Sequence, residues 1–195
     1  MKLWAKRLLW CSGTSIEVVG MENIVPNEKY IYLPNHTNLI DIPILFAAIP
    51  DDLHFMYRLS LQKIPILGLA LRSLPFIPII RENSKNAVGG IAHAAQTIKE
   101  HGSVVLFPEG TRSYNGKLDK FKRGAFALAE QTGNKIVPVT IRGVANITPQ
   151  GGIKINKGEV LVTINKPITD IPADRTEMRH FIDDIHNMMF QQLMQ

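Results

Sequence analysis

Apolar and polar positions along the chain alternate in short blocks. Ser15–Val19 (SIEVV), Glu28–Leu33 (EKYIYL), Leu53–Tyr57, Ser103–Phe107 (SVVLF), Ile136–Ile141 and Val160–Ile164 read as strands, and Pro34 stops the second of them. Phe76–Ile80 is a further short apolar run before Arg81. Helical stretches lie between these runs. Ile42–Ala48 is one, with Pro43 tolerated in its first turn. Leu61–Leu71 is another, with Pro65 and Gly68 inside it. Ser84–Glu100 has Ser84 as N-cap and stops at His101-Gly102. Arg123–Gln131, closed by Gly133, and Thr176–Gln191 complete the set. Strands alternating with helices predict one α/β domain over residues 1–195, with a mixed, largely parallel sheet flanked by helices. In such sheets, ligands bind beyond the carboxyl ends of strands. Three strand ends carry unusual polar residues: Asn35–Asp41, Arg81–Asn83 and Pro108–Ser113.

Composition narrows the class. With 195 residues, 45% hydrophobic and 20% charged, the chain is globular rather than disordered. Cys11 is the one cysteine, which excludes an internal disulfide, argues against a thiolate metal site and favours a reducing compartment. No run reaches the roughly 18–20 apolar residues of a spanning helix. The nearest, Ile64–Ile80, is broken by Arg72, Ser73 and four prolines or glycines. The apolar part of Met1–Gly13 is too short for a secretory signal. Trp4 and Trp10 with Lys2, Lys6 and Arg7 suit residues 1–14 to a membrane interface, and an ordinary first helix over the core suits them equally. A net charge of +5 favours a polyanionic partner: nucleic acid, a phosphorylated ligand or an anionic membrane surface. Few aromatics and no nucleic-acid-binding signature argue against the first.

Two constellations carry chemistry. In Asn35-His36-Thr37-Asn38-Leu39-Ile40-Asp41, a histidine and a carboxylate stand five residues apart. On a continuous helix that spacing separates them by about 140°, so they meet only if His36 lies in a turn and Asp41 near the helix start. An Asp accepting the Nδ1–H fixes the imidazole tautomer and leaves the other nitrogen as a base. By spacing alone, Asp41 or Asn38 as a plain helix cap is the more economical reading. Asn35-His36-Thr37 also fits the glycosylation pattern, discounted for want of a secretory signal. The second constellation, Phe107-Pro108-Glu109-Gly110-Thr111-Arg112-Ser113, ends a buried-type strand in a basic loop that continues to Lys117, Lys120, Lys122 and Arg123. Glycine permits close backbone approach, and arginine offers a fork matched to phosphate. A solvated turn with a Glu109–Arg112 pair is the plain alternative. It is not a P-loop: the spacing to Gly116-Lys117 is one residue too long, and Leu118 stands where a hydroxyl would hold magnesium. Arg81 after its apolar run is a second phosphate contact or an ordinary strand-edge arginine. The strand around Pro138 lines or supports the pocket or is simple core.

Taken together, these blocks resemble the 1-acylglycerol-3-phosphate acyltransferase family, within the glycerolipid acyltransferases. The family's four blocks occur in order: His36 to Asp41, the run ending at Arg81, Phe107–Ser113 letter for letter, and the apolar strand with Pro138. Lys117, Phe121, Lys122 and Gly124 continue the likeness, which runs from roughly Val18 to Ile164. Two features depart from the family: members often carry membrane helices before the first block, and a Lys-Lys-Glu-type stretch is here Tyr57-Arg58-Leu59-Ser60.

The resemblance implies a glycerolipid acyltransferase-like fold and transfer of a fatty acyl group from a thioester to lysophosphatidic acid, giving phosphatidic acid. It makes His36 the general base and Asp41 its partner, with Arg81, Gly110 and Arg112 holding the acceptor's phosphate and Thr111 among the substrate-binding residues. Glu109 orients Arg112 or contacts the glycerol. No metal or bound cofactor is implied; acyl-CoA or acyl-acyl carrier protein is the donor. The expected partners are a lysophospholipid, the acyl thioester, an anionic membrane surface and, as one donor, acyl carrier protein, with no nucleic acid. The expected location is the cytoplasmic face of a membrane, as a peripheral or monotopic protein. Apolar stretches Ile42–Phe46 and Ile64–Leu71 line an acyl tunnel or pack as core. Other lysolipid acceptors, a thioesterase and a non-enzymatic lipid-binding module are the competing readings.

Overall fold

The structure, a computed structural model, describes residues 2–65, 67–74, 76–79, 95, 96, 98, 100, 102–113, 117–148 and 155–195. Arg81 and most of the expected helix Ser84–Glu100 lie outside the described residues; 95, 96, 98 and 100 are helical. The strands are β1 (Thr14–Val19), β2 (Tyr30–Pro34), β3 (Leu53–Arg58), β4 (Ile77–Ile79), β5 (Ser103–Val105), β6 (Lys135–Arg142) and β7 (Gly158–Ile164). The helices are α1 (Lys2–Cys11), α2 (Asp41–Ala48), α3 (Leu67–Ser73), α4 (Arg123–Thr132), α5 (Val144–Ile147) and α6 (Arg175–Met194).

The strands form a sheet in the order β1-β7-β6-β2-β5-β3-β4. Every neighbouring pair is parallel except β6 with β7. The sheet is therefore mixed and mostly parallel. β2 lies near its middle and is buried on both faces, as a strand in a helix-covered parallel sheet must be. Tyr30 and Tyr32 join one core cluster with Ala5 and Leu9 of α1 and Ile44, Leu45 and Phe46 of α2. Ile31 and Leu33 join the other, with Phe126 and Leu128 of α4 and Met178, Ile185 and Met189 of α6. Ile44, Leu45 and Phe46 thus serve as core. Pro138 sits inside β6, where a missing N–H normally breaks a ladder. The antiparallel pairing with β7 ends at Val139, and Asn165 covers the Pro138 carbonyl with a backbone N–H at 3.0 Å.

The N-terminus forms a first helix packed on the core. α1 buries Ala5 and Leu9, while Trp4 and Trp10 are 55% and 81% exposed on its other side. Among the described residues, no helix is long and apolar enough to cross a membrane.

The expected helix Leu61–Leu71 is two pieces, a 3-10 turn at Leu59–Lys63 and then α3. Pro65 falls between them, where its ring and missing N–H break a continuous helix. Gly68 lets α3 fold back closely: a Cβ there would lie 2.1 Å from the Gln62 carbonyl oxygen. In an ordinary helix interior, Gly→Ala stabilises by about 1 kcal/mol. At Gly68 the sign reverses, because the Gln62 backbone has to shift. Gly68→Ala is expected to lower the urea midpoint; a raised midpoint would show that the two pieces do not approach so closely.

Candidate active site

β2 ends at Pro34, and the chain turns through Asn35–Ile40 before α2 begins at Asp41. This turn stands at the carboxyl end of the parallel strands, where an open sheet leaves a crevice. Asp41 does not cap its helix. The N-cap is Ile40, which makes no side-chain cap bond, and Pro43 occupies the first turn as expected. The Asp41 carboxylate instead points back into the turn and is fully buried. Its Oδ2 accepts the Thr37 N–H at 2.7 Å and the Asn38 N–H at 2.9 Å. The same oxygen lies 2.8 Å from His36 Nδ1. The two side chains meet because the intervening residues form a tight turn rather than a helix.

With Nδ1–H given to the carboxylate, the His36 Nε2 carries the lone pair. The imidazole stacks on Phe107, with ring centroids 3.8 Å apart and planes 18° from parallel. Phe107 belongs to the second constellation, so the two blocks meet face to face. The contact locks the ring without using its nitrogens.

Glu109 is buried, with 2% exposure, which removes the solvated-turn reading. Its Oε1 accepts the His36 N–H at 2.7 Å, and its Oε2 accepts the Asp119 N–H at 2.9 Å. Burial is the main influence on this carboxyl and pushes its pKa up to about 7, against the pull of those two N–H groups. Ser113 N–H donates to the His36 carbonyl at 2.8 Å, and Lys122 N–H to the Pro108 carbonyl at 2.8 Å. The stretch expected as a free polar loop is tied to the His36 turn through Glu109 and Ser113 and closed on itself by Lys122 and Pro108.

Gly110 holds a φ of 76°, a left-handed conformation that glycine adopts without steric penalty. Thr111 and Arg112 are exposed, so the arginine fork faces solvent. Asn35 is 3% exposed and joins β2 to β6, donating to the Ile141 carbonyl at 3.0 Å and accepting its N–H at 2.7 Å. Both ends of that amide are used internally, which closes it to glycosylation in the folded chain. Sequence reasoning assigned no role to Asn35 or to the Phe107 ring. Their burial was the missing information, and only their place inside the two motifs hinted at it.

Known proteins resemble this chain in sequence and in fold. The sequence model of the Acyltransferase family matches residues 15–142. A chloroplastic 1-acyl-sn-glycerol-3-phosphate acyltransferase of Arabidopsis thaliana is 35% identical over 89% of this chain and 49% of its own length. The Saccharomyces cerevisiae 1-acyl-sn-glycerol-3-phosphate acyltransferase is 31% identical over 93% of this chain and 60% of its own. The chain thus spans about half the length of the first of these relatives. The crystal structure of the 1-acyl-sn-glycerophosphate acyltransferase PlsC from Thermotoga maritima superposes with a TM-score of 0.79 at 26% identity, covering 98% of this chain and 78% of that one. A family match over most of the chain, a shared fold and both motif blocks gathered at one sheet end lead to one assignment: the chain belongs to the Acyltransferase family.

Proposed function

We propose that the chain moves a fatty acyl group from an acyl thioester to the free hydroxyl of lysophosphatidic acid, giving phosphatidic acid. The observation that carries this reading is the 2.8 Å contact between His36 and the fully buried Asp41. The names of the Arabidopsis and yeast relatives support the acceptor.

His36 Nε2 takes the proton of the acceptor hydroxyl, and Asp41 stabilises the imidazolium that forms. The hydroxyl oxygen attacks the thioester carbonyl. The C–S bond breaks as the ester C–O bond forms, and the thiolate leaves with the proton held by His36. No protein nucleophile is needed, because the acceptor brings its own. Arg112, Thr111 and the Gly110 backbone hold the acceptor phosphate, with Arg81 in the same role. The Thr37 and Asn38 N–H groups are committed to Asp41, so the oxyanion is stabilised by other donors. Glu109 is a positioning residue: it fixes the His36 backbone and leaves the substrate to its neighbours.

The reaction takes place at an anionic membrane surface, on the cytoplasmic face, with the protein peripheral or monotopic. Exposed Trp4 and Trp10 beside Lys6 and Arg7 support this. Leu39 in the catalytic turn, and Ile64 and Leu69 beyond the end of β3, are exposed as well. The thioester donor is acyl-CoA or acyl-acyl carrier protein.

Purified protein given acyl-CoA and lysophosphatidic acid is expected to release thiol only with the acceptor present and to form phosphatidic acid. Release without acceptor would mean a thioesterase. His36→Ala is expected to lower kcat by about 10²–10⁴-fold with the fold intact by circular dichroism. Arg112→Ala is expected to raise the KM for the acceptor more than it lowers kcat; an unchanged acceptor KM removes the phosphate role.

Glu109 gives a pH signature. Its folded pKa, about 7, lies above the ordinary 4.5, so the folded state keeps a proton that the unfolded chain releases. The stabilisation this provides is fully present below pH 4.5 and is lost as pH rises through 7, with a span on the order of 3 kcal/mol. Urea unfolding between pH 4.5 and 8 is expected to show Glu109→Gln with a flatter stability profile than the parent. Parallel profiles would deny the raised pKa. For the membrane, the double variant Trp4→Ala, Trp10→Ala is expected to bind anionic vesicles at least tenfold more weakly, a loss of about 1.4 kcal/mol, with activity on detergent-dispersed substrate retained. Equal sedimentation with vesicles would place membrane contact elsewhere.

A further inference from the structure

The His36 imidazole meets the Phe107 ring almost face to face, with centroids 3.8 Å apart and planes 18° from parallel. Neutral aromatic rings avoid that arrangement. Their negative faces repel, so they settle offset or edge-on at about 4.5–7 Å. A cation over the same face is attracted, within about 6 Å of the ring centre. The contact is therefore poor for the resting imidazole and good for the imidazolium. The His36 side chain is only 13% exposed, so little water is at hand to hydrate a charge on it. An aromatic face is worth most to a cation that water does not reach.

Asp41 meets the imidazole in its own plane, at Nδ1, and Phe107 meets it from above that plane. The two neighbours act on one charge from perpendicular directions. The orientation of Phe107 is set without His36. Its ring leans on Phe55 of β3, with centroids 6.2 Å apart. Phe55 is 2% exposed and packs in turn on Phe46 of α2 at 5.0 Å and on Phe76 at 5.4 Å. This aromatic layer fixes the plane that the imidazole lies on.

We propose that Phe107 is a positioning residue that works through charge: its ring face stabilises the His36 imidazolium more than the resting base. The proposal rests on the transferase reading above. An interaction raises a rate only by the amount that it is stronger in the transition state than in the ground state. This contact strengthens as the proton moves onto Nε2. No bond to Phe107 forms or breaks; the ring acts on the charge that Nε2 takes with the acceptor's proton. A ring that merely packed would serve as well with its faces stripped of electron density.

The test replaces Phe107 alone with mono-, tri- and pentafluorophenylalanine. Fluorine draws electron density from the ring faces and leaves the shape nearly unchanged, so the attraction weakens and then reverses. The rate of a single turnover with acyl thioester and lysophosphatidic acid is expected to fall stepwise, by about tenfold at the end of the series. The KM for each substrate is expected to stay constant. A second measurement needs no turnover. The Cε1 carbon of His36, identified by its loss in His36→Ala, reports ring protonation by NMR. Half-protonation is expected at a pH about one unit lower in the pentafluoro protein, the same tenfold. The charged side chains on the elements around the ring, Asp41 at the start of α2 and Glu109, Arg112 and Asp119 after β5, are unaltered in the series. A flat rate series with acceptor-dependent turnover overturns the proposal and leaves the transferase reading standing. So does a rise in KM along the series, which would place Phe107 against a substrate, and so does an unchanged NMR titration in any case. A stepwise fall in acceptor-free thiol release upholds the role of Phe107 and rejects the transferase reading. In a protein that turns over no thioester, a titration moved to lower pH does the same.

Discussion

The Asp41 carboxylate is the fixed point of the site. It is fully buried, and one of its oxygens collects Thr37 N–H, Asn38 N–H and His36 Nδ1 within 2.7–2.9 Å. A carboxylate in such surroundings has to be satisfied by hydrogen bonds, because water is not available to do it. The turn between β2 and α2 takes the shape that points those donors inward. The same requirement that keeps Asp41 buried therefore also aims the imidazole.

Three strand ends are tied together around that turn. Asn35 joins the end of β2 to β6. Glu109 and Ser113 join it to the loop after β5, and Phe107 stacks on the histidine from the same loop. Loops alone rarely hold a side-chain ring to within a fraction of an ångström. Here the loops bridge the ends of β2, β5 and β6, which are buried along most of their length, and they borrow the rigidity of those strands. Glu109 is the most tensioned of these ties. Burial drives its carboxyl toward the neutral form while two N–H donors favour the anion.

The molecule divides its surface by chemistry. α1 hides Ala5 and Leu9 and leaves two tryptophans outward. On the opposite side of the sheet, α4 and α6 bury Phe126, Met178 and Met189 and leave arginines outward. The crevice at the strand ends lies between the two layers of helices.

The order of elements was legible in the sequence, because strand and helix periodicities and the positions of proline and glycine are local properties. The family likeness rested on Phe107–Ser113, a contiguous motif that no folding is needed to read. Spacing alone favoured a helix cap at Asp41, and only the resemblance made it the partner of a base. What the sequence could not express was contact between distant positions. Glu109 reaches a backbone 73 residues away, and Asn35 one 106 residues away. Neither bond leaves a periodic trace, so the sequence points Glu109 toward Arg112 or the glycerol rather than toward the His36 backbone, and Asn35 has no structural role in it. The break at Pro65 and the close approach at Gly68 depend in the same way on how α3 folds back on the turn before it. The sequence by itself determined which chemical groups were present and in what order. The tertiary structure decided which of them face inward, because burial and long-range pairing are set by the packed sheet and not by neighbours along the chain.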